Sequence, residues 1–333
     1  MSKKQFSVFK LKLSAPLHVS SGGFGLEQAD AGIRSDTLFG ALCRTVGMLW
    51  GDETVEGWIQ EPPFRISSCF PYVDQTLFFP KPITMEIPKD LPPKSWKKVK
   101  YLSEDLFKAW IRGGQKALTP KTAQVQGIFY TEDLKLNSDL TFMKEDGVSR
   151  VTVDRVNQAG SIFNFAQYHL QKVERDKLQI ETGLYFLVDW GTASEHDIQV
   201  FKSGLQLLAD EGLGADRTVG KGWFMFDAGL QESITFEVPE AADAHFLLSL
   251  YHPSGEDLKL VTPEKSRYEL ITRKGWISGT DFKRQSVRFI TEGSLMHMPN
   301  PPEGDSPVVY QEESDFRVVR YGHALSIPVH SNA

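Results

Sequence analysis

The order in which strand and helix periods alternate constrains this chain more than any other feature of its sequence. Phe9, Leu11 and Leu13 alternate with Lys10 and Lys12, the pattern of a strand with one buried face, and Pro16 ends it, so a first strand is expected from about Gln5 to Ser14. Ser35 or Asp36 then caps a helix whose Leu38, Leu42, Val46 and Leu49 recur at helical spacing, with Gly51 at its end. The runs FRISSCFPY from Phe64 and TLFFPKP from Thr76 read as two short strands joined by a turn at Val73 to Gln75. GLYFLVDW from Gly183 is a strand, followed by a helix capped by Ser194 with Ile198, Phe201, Leu205 and Leu208 on one face, ending at Gly212. GWFMFDAG from Gly222 is a further strand. The order β-α-β-β-α-β describes an α+β, ferredoxin-like domain, the layout shared by RNA-recognition modules.

The rest of the chain follows this pattern less closely. Between Lys81 and Arg150 lie a Pro/Lys-rich stretch, a short helix capped by Ser103 and a hairpin-like segment around GIFYTEDLKL, together read as a long insertion and not a core layer. Beyond about Gln231, HFLLSLYHPS, VRFITEGSL, FRVVRYG and ALSIPV supply strands with little helical periodicity, so a second, smaller sheet domain is expected over 231–333, with PNPPEGDSP from Pro299 as an exposed loop. A length of 333 residues suits such a division. No stretch approaches the roughly 18 unbroken apolar residues of a membrane span, and the basic, alternating start does not build a signal peptide, so a cytoplasmic protein without membrane contact is expected.

Metal and disulfide chemistry find little support. Cys43 and Cys69 are too few for a disulfide framework, His245 and His252 stand seven apart without a nearby Cys, and H-E-x-x-H, D-x-D and C-x-x-C are absent. The net charge of −6 argues against nucleic acid binding over the whole surface. Its distribution is uneven: Lys81 to Lys121 holds ten Lys/Arg against four Asp/Glu, a local +6 that leaves −12 elsewhere. Basic faces meeting RNA and acidic faces meeting water or neighbouring subunits would give this polarity, as would solvated lysines on an insertion.

The most informative segment is GLGADRTVGKGWF, Gly212 to Phe224, between a helix and a strand. Its glycines let backbone N–H groups crowd one concave surface, and Arg217 and Lys221 add positive charge, a composition suited to gripping phosphate. It is not a Walker loop, because five residues separate Gly214 from Gly220 and Gly222 stands where a Ser or Thr would hold magnesium; nor is it G-x-G-x-x-G, because Arg217 occupies the last glycine position. A merely tight connection remains the alternative.

A glycine-rich loop between the last helix and last strand of a ferredoxin-like domain resembles the signature of the RAMP superfamily of CRISPR proteins. PLHVSSGG, SDTLFGALCRTVG, FRISSCFPY with FFPKP, VTVDRVNQAGSIF, KGWISGT, VRFITEGSL and RYGHALSIPV, in that order, are similar to the branch that supplies the fourth Csm subunit of the type III-A interference complex. The resemblance implies two ferredoxin-like (RRM-like) RAMP domains, an N-terminal one over 1–230 with a thumb hairpin inserted at about 83–150 and a smaller one over 231–333. It implies a non-catalytic subunit, without cofactor, that grips the 5′ repeat-derived handle of the guide (crRNA). Such a subunit touches the large polymerase-like subunit and the first backbone RAMP subunit, and meets target RNA indirectly through the thumb.

Candidate RNA contacts follow from both readings. Gly212, Gly214, Arg217, Thr218, Gly220, Lys221 and Gly222 would hold handle phosphates. Ser35 and Thr37, beside Asp36 at the start of the first helix, can cup a phosphate with free N–H groups, and Arg34 adds charge; the equal alternative is that Asp36 only caps the helix and repels an anion. Arg150 and Arg155 flank VTVD in the family's return strand after the thumb, to grip the ribose-phosphate chain or to make salt bridges to the acidic surface, and Arg273, Lys274, Trp276, Lys283, Arg284 and Arg288 form a basic cluster whose Trp276 is either a stacking platform or a core residue beside Ile277. His18 carries the main alternative. Some RAMP relatives are metal-independent endoribonucleases that cut guide precursor with a histidine as general acid or base, and His18 follows the first strand, so that role, a handle contact and a polar core position all stay open.

Overall fold

The computed structural model describes residues 1–19, 32–84, 86–88, 91–118, 123–132, 134, 143–154, 156–157, 159–170, 173–227, 232–277, 280–312 and 316–330. Residues 20–25, SSGGFG, whose glycines lead one to expect a flexible connection, and Arg155 lie outside them. Strand β1 (Ser2–Leu13) leads to helices α1 (Ser35–Trp50) and α2 (Asp52–Gln60) and strands β2 (Arg65–Ile66), β3 (Phe70–Val73) and β4 (Thr76–Pro80). Next come α3 (Pro93–Lys98), β5 (Tyr101–Ser103), α4 (Glu104–Gly113), β6 (Ala123–Gln126), β7 (Phe129–Glu132), β8 (Met143–Val153), β9 (Gly160–Leu170), β10 (Val173–Arg175) and β11 (Leu178–Ile180). The N-terminal half closes with β12 (Thr182–Asp189), α5 (Glu195–Glu211), β13 (Phe224–Met225) and β14 (Glu232–Val238).

The main sheet runs β13-β1-β12-β3-β4-β5-β7-β6, antiparallel except for β5 beside β7. β1 lies one strand in from the β13/β14 edge: Ser7 to Leu11 pair with β12, Lys12 and Leu13 with β13, and Ser2 to Val8 with β14. On one face Phe9, Leu11, Phe186 and Val188 meet Leu38, Leu42 and Val46 of α1 and Phe201, Leu205 and Leu208 of α5. The two helices touch closely enough that Thr45 donates its hydroxyl to the Gly204 carbonyl at 2.8 Å. Helix α5 starts in a capping box, with the Ser194 and Asp197 side chains each accepting the other's backbone N–H. Ser194→Ala should therefore cost about 1 kcal/mol, read as a lowered thermal midpoint.

The expectation of one buried face on β1 needs correction. Phe6 and Val8 are buried too, and with Tyr72, Phe79, Tyr185 and Leu187 they meet Phe107 and Trp110 of α4. Phe79 and Phe107 stack at 4.5 Å with planes 6° apart. Residues 81–150 are thus not an insertion outside the core, since α4 and β5–β7 cover and extend the sheet. The short helix expected after Ser103 is present as α4, but its Leu106, Phe107, Trp110 and Ile111 share one buried side, a core role that the Lys/Pro-rich surroundings hid. Among the described residues the longest hairpin is β8–β9, paired from Met143/Leu170 to Val153/Gly160, which overlaps the end of 83–150 and runs 20 residues beyond it. Val151, Val153, Val156 and Ile162 are exposed on it.

Past Val238 the strands are β15 (Ala244–Leu247), β16 (Leu270–Arg273), β17 (Val287–Ile290), β18 (Leu295–His297), β19 (Val308–Gln311), β20 (Arg317–Val319) and β21 (Ser326–Val329), with α6 (Asp257–Leu260) after β15. They pair as β18-β15-β21, β16-β17 and β19-β20. A second ferredoxin-like unit would bring two helices, whereas the described residues here hold one of four residues. The loop from Pro299 is not fully exposed: Pro302 and Gly304 are buried, and Gly304 donates its N–H to the Asp257 carboxylate at 2.8 Å.

Candidate nucleic-acid interface

The glycine-rich segment closes on its own protein. Gly212, Gly214, Gly220 and Gly222 have φ of 82°, 86°, 80° and 74°, a region that side chains enter at a cost. Leu213 N–H donates to Gly222 O, Gly222 N–H to Pro16 O and Ala215 N–H to His18 O, each at 2.9 Å. A Cβ on Gly222 would stand 1.8 Å from the Leu213 carbonyl oxygen, and one on Gly214 2.3 Å from that of His18. These glycines permit close backbone approach, and the amides just named are occupied internally. For Gly212, Gly220 and Gly222, whose N–H groups go to Leu208, Arg217 and Pro16 carbonyls, the expected phosphate cradle is corrected, and at the crest of the turn the half-buried Arg217 and the exposed Thr218 are left as the groups that can face a ligand.

Lys221 also faces inward. It is 7% exposed, its Nζ stands 3.9 Å from the Phe165 ring centre and 3.6 Å from an Asp216 oxygen, and Arg150 joins the same carboxylate at 2.6 Å while covering Phe165 at 4.4 Å. Burial, with Arg150 beside it, pulls the Lys221 ammonium below its ordinary range, against the pull of Asp216. His18 completes this joint. Its ring is 1% exposed and 4.3 Å from that of Phe165, with Nδ1–H donating to Ala166 O at 2.5 Å, while Leu17 and Tyr168 exchange backbone hydrogen bonds of 2.9 and 2.7 Å. The glycine turn, the end of β1 and the base of the β8–β9 hairpin are locked together. A general acid or base must come within hydrogen-bond reach of the proton it moves, and the His18 ring is enclosed by its own chain.

Sequence reasoning missed Arg44, because it lies on α1, far away in the chain. Arg44 pairs with Glu211 at 2.9 Å, and the half-buried Arg217 sits close enough for its charge to be felt. Burial and then Arg44 lower the Arg217 pKa, and Glu211 opposes them. Glu211 already offsets Arg44, and an anion at Arg217 would relieve what repulsion remains between the two guanidiniums.

The second group of candidates belongs to a junction. Asp36 is buried, accepting from Arg273 at 3.0 and 3.1 Å and from Arg320 at 2.5 Å, and Arg273 also donates to the Thr37 hydroxyl at 2.9 Å. Burial pushes the Asp36 carboxyl up, but Arg273 and Arg320 together outweigh it and hold it at about 2. Ser35 is buried, its N–H donated to Ser68 and its Oγ accepting from Leu250 N–H, and Arg34 pairs with Glu292 at 2.5 Å. The start of α1 is therefore bound to the C-terminal strands, which corrects its expected role as an open phosphate cup. Arg284 is half-buried beside this cluster. Trp276 is exposed with the Lys283 ammonium 5.0 Å from its ring, and the Lys274 carbonyl accepts from Arg320. Among the described residues no three metal-ligating side chains gather, and no helix is long and apolar enough to cross a membrane.

Residues 240–329 match the family described as the CRISPR Csm4 C-terminal domain. The chain is 23% identical to the CRISPR system Cms protein Csm4 of Methanocaldococcus jannaschii, over 87% of this chain and 85% of that one. It is 26% identical to the Csm4 protein of Thermococcus onnurineus, over 81% and 83%. Among solved structures, a chain of the Csm3–Csm4 subcomplex in the type III-A CRISPR-Cas interference complex aligns over 98% of this chain and 100% of its own, with 19% identity and a TM-score of 0.65. A chain of the Csm1–Csm4 cassette in complex with cA4 aligns over 98% of both, with 20% identity and a TM-score of 0.59. The mixed α/β fold is that of Csm4 structures, and the resemblance to the fourth Csm subunit read from the sequence is borne out.

Proposed function

We propose that this chain is a non-catalytic subunit of a type III-A CRISPR effector complex that grips the 5′ repeat-derived handle of the guide RNA and bridges the large polymerase-like subunit to the backbone subunits. The Csm1–Csm4 and Csm3–Csm4 assemblies of its structural neighbours support the two partner contacts. The handle reading rests on one observation, the joint at which the glycine turn, bearing Arg217 and neighbouring Arg44, is pinned to Pro16, His18 and the hairpin base. Single strands are held by cations and aromatic faces on rigid supports, and this joint fixes such groups without a mobile loop. The spatial order β13-β1-β12-β3, with α1 and α5 on one face, supports a ferredoxin-like unit within 1–230, followed by the smaller sheet domain. We assign the thumb to β8–β9, whose exposed valines suit contact with a duplex or a partner.

Pulling the protein from its native cells should recover short guides with a common repeat-derived 5′ segment. Arg217→Glu should cut that RNA at least about tenfold, because a phosphate contact becomes a repulsion. Lys221 is the wrong partner for this test, since Lys221→Glu sets a second carboxylate against Asp216 and disturbs the fold. Undiminished RNA with Arg217→Glu would remove the turn from the site.

A further inference from the structure

Trp223 follows Gly222, and its carbonyl accepts from the Ser14 N–H at 2.9 Å and the Ser14 hydroxyl at 3.2 Å, which fixes its backbone to the end of β1. Its indole lies along the glycine turn. Cδ1 is 3.1 Å from where a Cβ on Gly212 would stand, and Cζ2 and Cη2 are 3.9 Å from the same point on Gly220. The two ends of the ring system thus rest on two residues with no side chain to hold it off. Even so, Trp223 is 49% exposed, with Val219 and Met225 also exposed nearby in the chain. Gly220, under the benzene end, donates its N–H to Arg217 O at 2.9 Å, so ring and cation are carried by one turn.

A single exposed apolar residue is ordinary on a protein surface. Trp223 differs in being braced along its length on the turn that carries Arg217, a cation with Arg44 near it. An aromatic face next to cations is the combination that holds single-stranded nucleic acid, with the ring taking a base and the cation taking the phosphate. We infer that Trp223 is a stacking platform for one unpaired nucleobase of the bound strand, whose adjoining phosphate lies at Arg217 and Arg44. The inference rests on the glycine turn being the RNA-holding site proposed above.

The test uses the full-length protein in its assembled complex and a short single-stranded RNA of the recovered handle sequence, together with a series carrying one abasic position each. Trp223→Ala should weaken binding about 5- to 100-fold while leaving the slope of log affinity against log salt unchanged. Trp223→Phe should restore most of the affinity, and Arg217→Glu should flatten the slope. One abasic position should reproduce the loss in the wild type and add nothing in Trp223→Ala. Wild-type affinity in Trp223→Ala alongside weakened binding in Arg217→Glu would overturn the platform and leave the site standing; wild-type affinity in both would overturn the site as well. Unchanged RNA affinity with loss of the partner subunits from Trp223→Ala would make the ring a protein contact and sink the inference.

Discussion

Gly222→Ala is expected to open the glycine turn and abolish guide recovery, a larger effect than removing any one cation from it. The new methyl group would meet the Leu213 carbonyl oxygen at 1.8 Å, a backbone atom that cannot swing aside, and φ of 74° is itself unfavourable for alanine. Relief of the clash breaks the bonds Leu213 N–H to Gly222 O and Gly222 N–H to Pro16 O. At about 1–2 kcal/mol for the backbone strain and about 1 kcal/mol for each hydrogen bond, the loss is about 3–4 kcal/mol. It falls on the joint that orients Arg217 and Trp223. Hydrogen exchange should quicken in this turn and at Leu17 and Tyr168, because the hairpin base shares it. Gly255→Ala is the control, since nothing lies within 4 Å of its new methyl, and it should stay within about 0.5 kcal/mol of the wild type. Normal guide recovery with Gly222→Ala would mean that the turn does not position the RNA contacts.

Much of the fold could be read from the sequence because local signals and packing agree there. Leu38, Leu42 and Val46 face the core as their spacing demands, Ser194 caps α5, and Gly212 ends it. The second covering layer was hidden. Lys10 and Lys12 make β1 read as open on one side, yet the Lys10 stem lies over Tyr72, with the ammonium 5.3 Å from the ring and paired with Glu232 at 2.9 Å. A long aliphatic stem ending in a charge looks polar in a pattern and packs like an apolar residue. The glycine turn was found by composition, but composition cannot say which way a lysine points. Phe165, 56 residues before Lys221, draws that cation inward, and no local pattern reports such a partner. Arg34, Ser35, Thr37 and Arg273 were singled out by charge and helix position, and the charge proved to serve the contact between the two parts of the chain.

That contact should fail most sharply at Asp36. Asp36→Ala leaves Arg273 and Arg320, each about 5% exposed, as buried cations without their carboxylate, and breaking one side of such a cluster costs about 3–5 kcal/mol. Replacing all three by apolar residues of similar volume should recover much of the loss, because the desolvation of both signs disappears together. The acid side gives an independent check. With the folded carboxyl held at about 2 against an ordinary 3.8, proton uptake favours the unfolded chain, so the stabilisation is complete above about 4 and fades as pH falls towards 2. The shift corresponds to about 2 kcal/mol. Urea melts of the wild type and Asp36→Asn should therefore differ by a constant amount from about pH 7 to 5 and converge below about 4. A gap that persists unchanged to pH 2 would show that Asp36 does not hold the junction by its charge. Because α1 carries Asp36 at one end and Arg44 further along, loosening the junction should also weaken guide recovery.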